Sequence, residues 1–189
     1  MTSTGHAELV RLADDHWWAV FLGTRPYAPN LYNTGRETFL LPVEWRDGWP
    51  VILPHGKPVP LVAKAPQLPA FSAPPTAGSF TIRDEFRKSR LDPAWMMMRT
   101  PARPWWRTGA GGLLLTARAE RIGDGRQPSF LGRRQQHADA TVTTRVTFAP
   151  AAGQEAGLAA VQNDNYFLSV ALVRDGARNL VRAARRAGM

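Results

Sequence analysis

The sequence predicts an all-β chain in two parts, and three observations carry that expectation. Short runs of aromatic and β-branched residues recur between turn residues, as in Trp17–Leu22 and Phe39–Trp45. Asp47-Gly48 stands between two apolar runs, and Asp-Gly supplies the positive backbone angles of a tight hairpin. Thr141–Phe148 sets Val142, Thr144, Val146 and Phe148 against Thr141, Thr143, Arg145 and Thr147, a period of two.

Taken in order, Glu8–Val10 reads as a short strand, with His6 before it, and Asp14-Asp15 as a turn. Trp17–Leu22 is a second strand, Tyr27–Gly35 a loop, and Phe39–Trp45 and Pro50–Leu53 close the first set. Three or four antiparallel strands of this length make one propeller blade. Alternation places Arg36 and Glu37 on opposite sheet faces.

Residues 54–78 hold Pro54, Pro58, Pro60, Pro66, Pro69, Pro74 and Pro75, which excludes helix and central strand and predicts a semi-extended linker. Further strands are expected at Ser79–Ile82, Trp95–Arg99, Gly112–Ala117, Ser129–Gln135, Thr141–Phe148, Gly157–Gln162 and Tyr166–Val173. Many short strands with a turn every ten or so residues argue for a sandwich. From Arg178 onward two readings stand: Arg178, Arg182, Arg185 and Arg186 have helical spacing, yet a further strand fits as well. Of the tryptophans, Trp105-Trp106 is the pair expected at the surface.

The 189 residues are 44% hydrophobic, enough for a core. Cysteine is absent, which removes disulfides, thiolate metal sites and a thiol nucleophile. The formal net charge is +9, but residues 1–53 hold four arginines against six carboxylates, so the excess lies in the rest. The cations are scattered and no nucleic-acid motif accompanies them, so no nucleic-acid partner is expected. No apolar run approaches the roughly 20 residues of a membrane helix, and no secretory signal is visible. The expected partners exclude a membrane, and the expected location is the cytoplasm.

Several motifs in order carry a resemblance. Gly5-His6-Ala7-Glu8-Leu9-Val10, Trp17 to Pro26 and Gly35-Arg36-Glu37-Thr38 are followed by Phe130 to His137 and Ala156-Gly157-Leu158. Together, from about Gly5 to about Val173, they resemble the family 43 glycoside hydrolases, of the β-xylosidase and α-L-arabinofuranosidase type with a second domain. The resemblance implies the last blade of a five-bladed propeller in residues 1–53, the linker in 54–78, and a concanavalin-like β-sandwich, or jelly roll, in 79–189. In that family most of the propeller precedes the Gly-His-Ala motif and further strands follow the last ones here. The resemblance therefore implies a chain truncated at both ends, whose missing propeller could be a separately encoded partner.

Function follows from the same resemblance. Such enzymes invert at the anomeric carbon with an Asp base, a Glu acid and a modulating Asp, because hydrolysis needs carboxyl groups on both sides of the bond. The resemblance places all three before Gly5, so no catalytic residue is expected here and the chain alone is expected to be inactive. It places His6 at the floor of the sugar pocket and Arg36 against sugar hydroxyls and carboxylates, both as substrate-binding residues. On the residues alone, His6 could equally lie in a frayed terminus and Arg36 in a structural ion pair. The substrates implied are xylo- or arabino-oligosaccharides from xylan or arabinoxylan. No metal ligand or cofactor is expected, apart from structural calcium at Asp84 and Glu85, whose oxygens would suit that ion. The alternative is a non-catalytic carbohydrate-binding or structural sandwich module.

Overall fold

The computed structural model describes residues 1–69 and 78–188, and all regular structure among them is β. Backbone proximity divides the chain into two units: Met1–Phe80 with Gln135–Ala140, and Thr81–Arg134 with the residues from Thr141 onward. Residues 70–77, with Pro74 and Pro75 of the Pro-rich stretch, lie outside the described residues.

The first unit holds one antiparallel sheet in chain order: β1 (Thr2–Arg11), β2 (Trp17–Thr24), β3 (Arg36–Arg46) and β4 (Trp49–Val51). This meander is the make-up of a propeller blade. Trp17, Ala19 and Phe21 of β2 stand opposite Val43, Leu41 and Phe39 of β3 on one face. Ala19, Phe21, Leu41 and Val43 are buried there, and Leu9, Ile52, Leu53 and Val59 pack against them. Burial of Phe21, Leu41 and Val43 contributes roughly 1.5–3 kcal/mol each. Phe21 stacks on Phe39 at 5.7 Å between centroids, and Trp17 meets Trp45 edge-on at 5.3 Å. The other face carries Val10, Trp18, Val20, Leu22 and Leu40, half-buried to exposed.

The β3–β4 turn has φ of 51° at Asp47 and 80° at Gly48, the two left-handed residues of a type I′ turn. β1 is longer than the expected Glu8–Val10 because the ladder runs on through two register shifts. Thr2 pairs with Thr24, Gly5 with Leu22 and Glu8 with Val20, so three residues of β1 twice answer two of β2. Ser3 and His6, one in each irregularity, have φ of 54° and 49°. Each bulge takes up one extra residue and bends the strand, which keeps Thr2, Gly5 and Glu8 in register with one face of β2.

Among the described residues the second unit has three sheets. β5 (Met96–Met97) pairs with β8 (Leu131–Gly132), and β6 (Trp106–Gly109) forms a hairpin with β7 (Gly112–Leu115). The largest sheet is the meander of β9 (Glu155–Asn163), β10 (Tyr166–Asp175) and β11 (Arg178–Ala187), with β10 central. Asn163 Oδ1 accepts the backbone N–H of Asn165 and of Tyr166 at 2.9 and 3.1 Å, which fixes the turn into β10. Gly157 on β9 lies so close to β10 that a Cβ would fall 2.0 Å from the Val170 carbonyl oxygen, so only glycine fits. Glu155 accepts from Arg121 and from Arg182, tying β9, β11 and the preceding loop together.

Three expectations are corrected, and one open reading is decided. Thr141–Phe148 joins no ladder; Thr144 and Val146 instead line a hollow with Leu158, Val170 and Val181. Period two shows that a segment can present two faces, whereas a strand also needs a neighbouring backbone to bond. Ser79–Ile82 forms no strand either; Phe80 packs edge-on against His137 at 5.3 Å. Trp105 is buried at 4% exposure, covered by Trp106 at 5.1 Å and the Arg118 guanidinium at 5.7 Å. Of the two readings for the tail, the helical spacing of its arginines is not realised. β10 offers a full-length edge, and Tyr166 to Asp175 pair one by one with Ala187 back to Arg178.

Candidate functional site

His6 sits inside β1 rather than ahead of it, at the second bulge, with its side chain exposed. The left-handed backbone there is uncommon for a residue with a Cβ and re-aims the side chain relative to a regular strand. Arg36 opens β3 opposite Thr24, and Thr24 in turn pairs with Thr2. Thr24 is 2% exposed, exchanges a 2.8 Å hydroxyl hydrogen bond with Thr2 and donates to the Thr2 carbonyl at 3.0 Å. This pair clamps the end of the sheet at which Arg36 stands.

The sheet thus brings His6 and Arg36 to the same end, on strands separated by β2, or about 10 Å between backbones at ordinary strand spacing. No hydrogen bond joins them. Arg36 is exposed and its donors have no carboxylate at ion-pair distance among the described residues. Glu37 turns to the opposite face, where Arg25 Nε and Thr34 Oγ1 each donate to it at 2.8 Å. In this pair it is Glu37, not Arg36, that is committed to a structural ion pair.

Hydrolysis of a glycoside would require two carboxyl groups facing each other across several ångströms of free space. The acids of the first sheet are arranged otherwise. Asp15 pairs with Arg11, Glu44 with Arg46, and Glu37 with Arg25. Asp14 caps the β1–β2 turn, its Oδ1 accepting the backbone N–H of His16 at 3.2 Å. That hydrogen bond, reinforced by the nearby imidazole, holds the Asp14 carboxyl below the usual carboxylate range. Glu8 stands opposite Val20 on the half-buried face, and Asp47 occupies the hairpin turn.

In the second unit, Asp84 and Glu85 have protein partners. Asp84 Oδ1 accepts the Phe86 N–H and Oδ2 accepts the Trp95 indole N–H, each at 2.7 Å, while Arg83 donates to Glu85. Phe86 lies 5.0 Å from Trp95 between centroids, and the Arg133 guanidinium sits over Trp95 at 5.4 Å. Among the described residues no group of three or more His, Asp or Glu side chains is gathered as a metal site. The Asp84–Trp95 junction was not foreseen from sequence. Its trace is the Asp84-Glu85-Phe86 run eleven residues before Trp95, a spacing with no local periodicity to announce it.

The described residues form a four-stranded antiparallel meander and a strand-rich second unit, and both match known families. Residues 1–50 match the model of "Glycosyl hydrolases family 43" and residues 83–188 that of "Beta xylosidase C-terminal Concanavalin A-like domain". The chain is similar to a non-reducing end alpha-L-arabinofuranosidase of Bacteroides ovatus, 37% identical over 179 residues. That alignment covers 92% of this chain and 33% of the relative. A xylosidase/arabinosidase of Butyrivibrio fibrisolvens is 31% identical over 178 residues, covering 91% and 33%. Among solved structures, the GH43 BlXynB protein from Bacillus licheniformis superposes with a TM-score of 0.79 at 29% identity, covering 97% of this chain and 35% of that one. The chain belongs to the family 43 glycoside hydrolases, and its larger part is their concanavalin A-like C-terminal domain. It spans about a third of the length of these relatives.

Proposed function

We propose that this chain is the C-terminal share of a glycoside hydrolase that releases xylosyl or arabinosyl units from xylan- or arabinoxylan-derived oligosaccharides. The observation that carries the reading is the continuous match of blade and sandwich to relatives named for those activities. In this reading His6 and Arg36 belong to the sugar pocket. Arg36 suits the role because its planar fork of donors is uncommitted and faces away from the ion pair that holds Glu37. The acid and the base come from polypeptide outside these residues, in the same or a separate chain, since the acids of the first sheet are engaged singly or lie apart.

The test is turnover of nitrophenyl β-xyloside and α-arabinofuranoside by the 189-residue chain alone and with the upstream propeller of a close relative supplied. The chain alone is expected to give background rates and the reconstituted enzyme to turn over. In the latter, Arg36→Ala should remove about 2–5 kcal/mol of transition-state stabilisation, a fall of thirtyfold or more in kcat/KM. Arg36→Lys should restore only part of it, and Glu37→Gln should leave kcat/KM near its starting value. Turnover by the chain alone that is lost in Glu8→Gln would refute the assignment. A non-catalytic module predicts instead that no reconstitution gives turnover while saccharide binding persists.

A further inference from the structure

The second unit contains a feature that hydrolysis does not use. Residues 82–92 fold around a hollow of about 300 Å³, also lined by Thr108 and Arg133. That is the lower end of the range for small-molecule sites. Five cationic side chains line it: Arg83, Arg87, Lys88, Arg90 and Arg133. Of its three carboxylates one is ion-paired and two hold neutral N–H groups. Asp84 accepts from Phe86 and Trp95, Glu85 from Arg83, and Asp92 Oδ1 accepts the Ala94 N–H at 2.9 Å. Among the described residues, Arg87, Lys88, Arg90 and Arg133 have no carboxylate at ion-pair distance.

Five cations against three carboxylates leave an excess of two positive charges around one concavity, which an anion bound there would offset. The wall is held in place around them. Asp84 fixes the backbone at Phe86, whose φ of 53° is rare for an aromatic residue, and the Gly109 N–H donates to the Phe86 carbonyl at 2.9 Å. Arg133 is oriented by its stacking over Trp95. Phe86 gives the hollow an aromatic surface suited to a sugar ring, and Thr108 a hydroxyl. Arginine forks match a carboxylate in two parallel hydrogen bonds.

From this we infer that the hollow binds the carboxylate of an acidic sugar, a uronate carried on the saccharide. The choice of a saccharide rests on the function proposed above; the anion site itself rests on the geometry.

The experiment is calorimetric titration of the 189-residue chain with a xylotriose bearing one glucuronosyl group, with plain xylotriose and with inorganic phosphate. The acidic sugar is expected to bind at least fivefold more tightly than xylotriose and than phosphate. Raising salt from about 20 mM to about 200 mM should erode that preference. R87Q and R90Q should each weaken the acidic sugar by about three- to fivefold, as for partly exposed charge pairs. The distant R178Q and R185Q, which lower net charge equally, should change it by less than a factor of two. Equal affinity for plain xylotriose, no binding of either sugar, or equal losses in the distant variants would overturn the inference. Phosphate binding as well as the acidic sugar would overturn the sugar assignment. The salt series needs no substitution, so it decides even if a variant fails to fold. No bond is cleaved in this measurement, so its failure leaves the hydrolase reading standing, and failed reconstitution of turnover leaves this one.

Discussion

Replacing Asp84 should unlock the N-terminal part of the second unit, and the cost can be worked from its contacts. Its two oxygens accept two N–H groups at 2.7 Å, one from the Phe86 backbone and one from the Trp95 indole. Hydrogen bonds to a charged partner contribute about 1.5–3 kcal/mol each, and exposure of a half-buried site lowers that. Asp84→Ala should therefore cost about 2–4 kcal/mol. Part of this is the penalty of leaving the Trp95 N–H without an acceptor, while relaxation of the left-handed backbone at Phe86 offsets some of it. Asp84→Asn keeps one acceptor but turns an NH2 toward one of the two donors, so it should cost about half as much. The assay is urea unfolding followed by far-UV circular dichroism. With a slope of about 2 kcal/mol per molar, Asp84→Ala moves the midpoint down by about 1–2 M. Trp95→Phe removes the partner, and the double variant should fall short of the sum by about 1 kcal/mol. A loss below about 0.5 kcal/mol for Asp84→Ala, or strict additivity with Trp95→Phe, would refute the reasoning.

Two further outcomes concern the first sheet. Gly48→Ala places a Cβ at φ of 80° and should cost about 1–2 kcal/mol, read as faster amide exchange in β4 while the β1–β2 ladder is unchanged. Exchange that does not change would mean the type I′ turn is not what holds β4. Asp14 should titrate below the ordinary 3.8 of a free aspartate, because the His16 N–H favours its carboxylate. A depressed folded-state value means that its contribution to stability is present above the ordinary carboxylate range and is lost as pH falls through the lower folded value. Carbon-detected NMR titration of the side chain checks this, and a midpoint at or above 3.8 contradicts it.

Much of the fold was legible because the information is local. Alternating apolar positions in Trp17–Leu22 and Phe39–Trp45 and the Asp47-Gly48 turn specify a meander without reference to anything remote. What escaped depends on partners far along the chain. The segment Thr141–Phe148 has the right pattern and no ladder to join. β6 opens with Trp106 in a stretch of Pro, Trp and Arg, and its pairing with β7 is what makes it a strand. At the candidate site, the opposite orientations of Arg36 and Glu37 could be read from adjacency alone. The bulge at His6 could not, since a left-handed backbone at a histidine leaves no mark in composition. The convergence of Arg87, Lys88, Arg90 and Arg133 was equally hidden, because Arg133 arrives from more than forty residues away.

The doubled bulge in β1 also constrains how this stretch can change length over evolutionary time. Losing one residue at Ser3 or at His6 would turn that irregularity into regular ladder and leave Thr2 opposite Thr24, because the residue lost is the unpaired one. Losing one at each would give a regular, straighter strand with the same pairs. A single loss in the regular part of β1, between Glu8 and Arg11, would instead turn the residues upstream of it onto the other face. Single-residue gaps among relatives should therefore gather at Ser3 and His6 with the Thr2–Thr24 clamp retained, and be rare between Glu8 and Arg11.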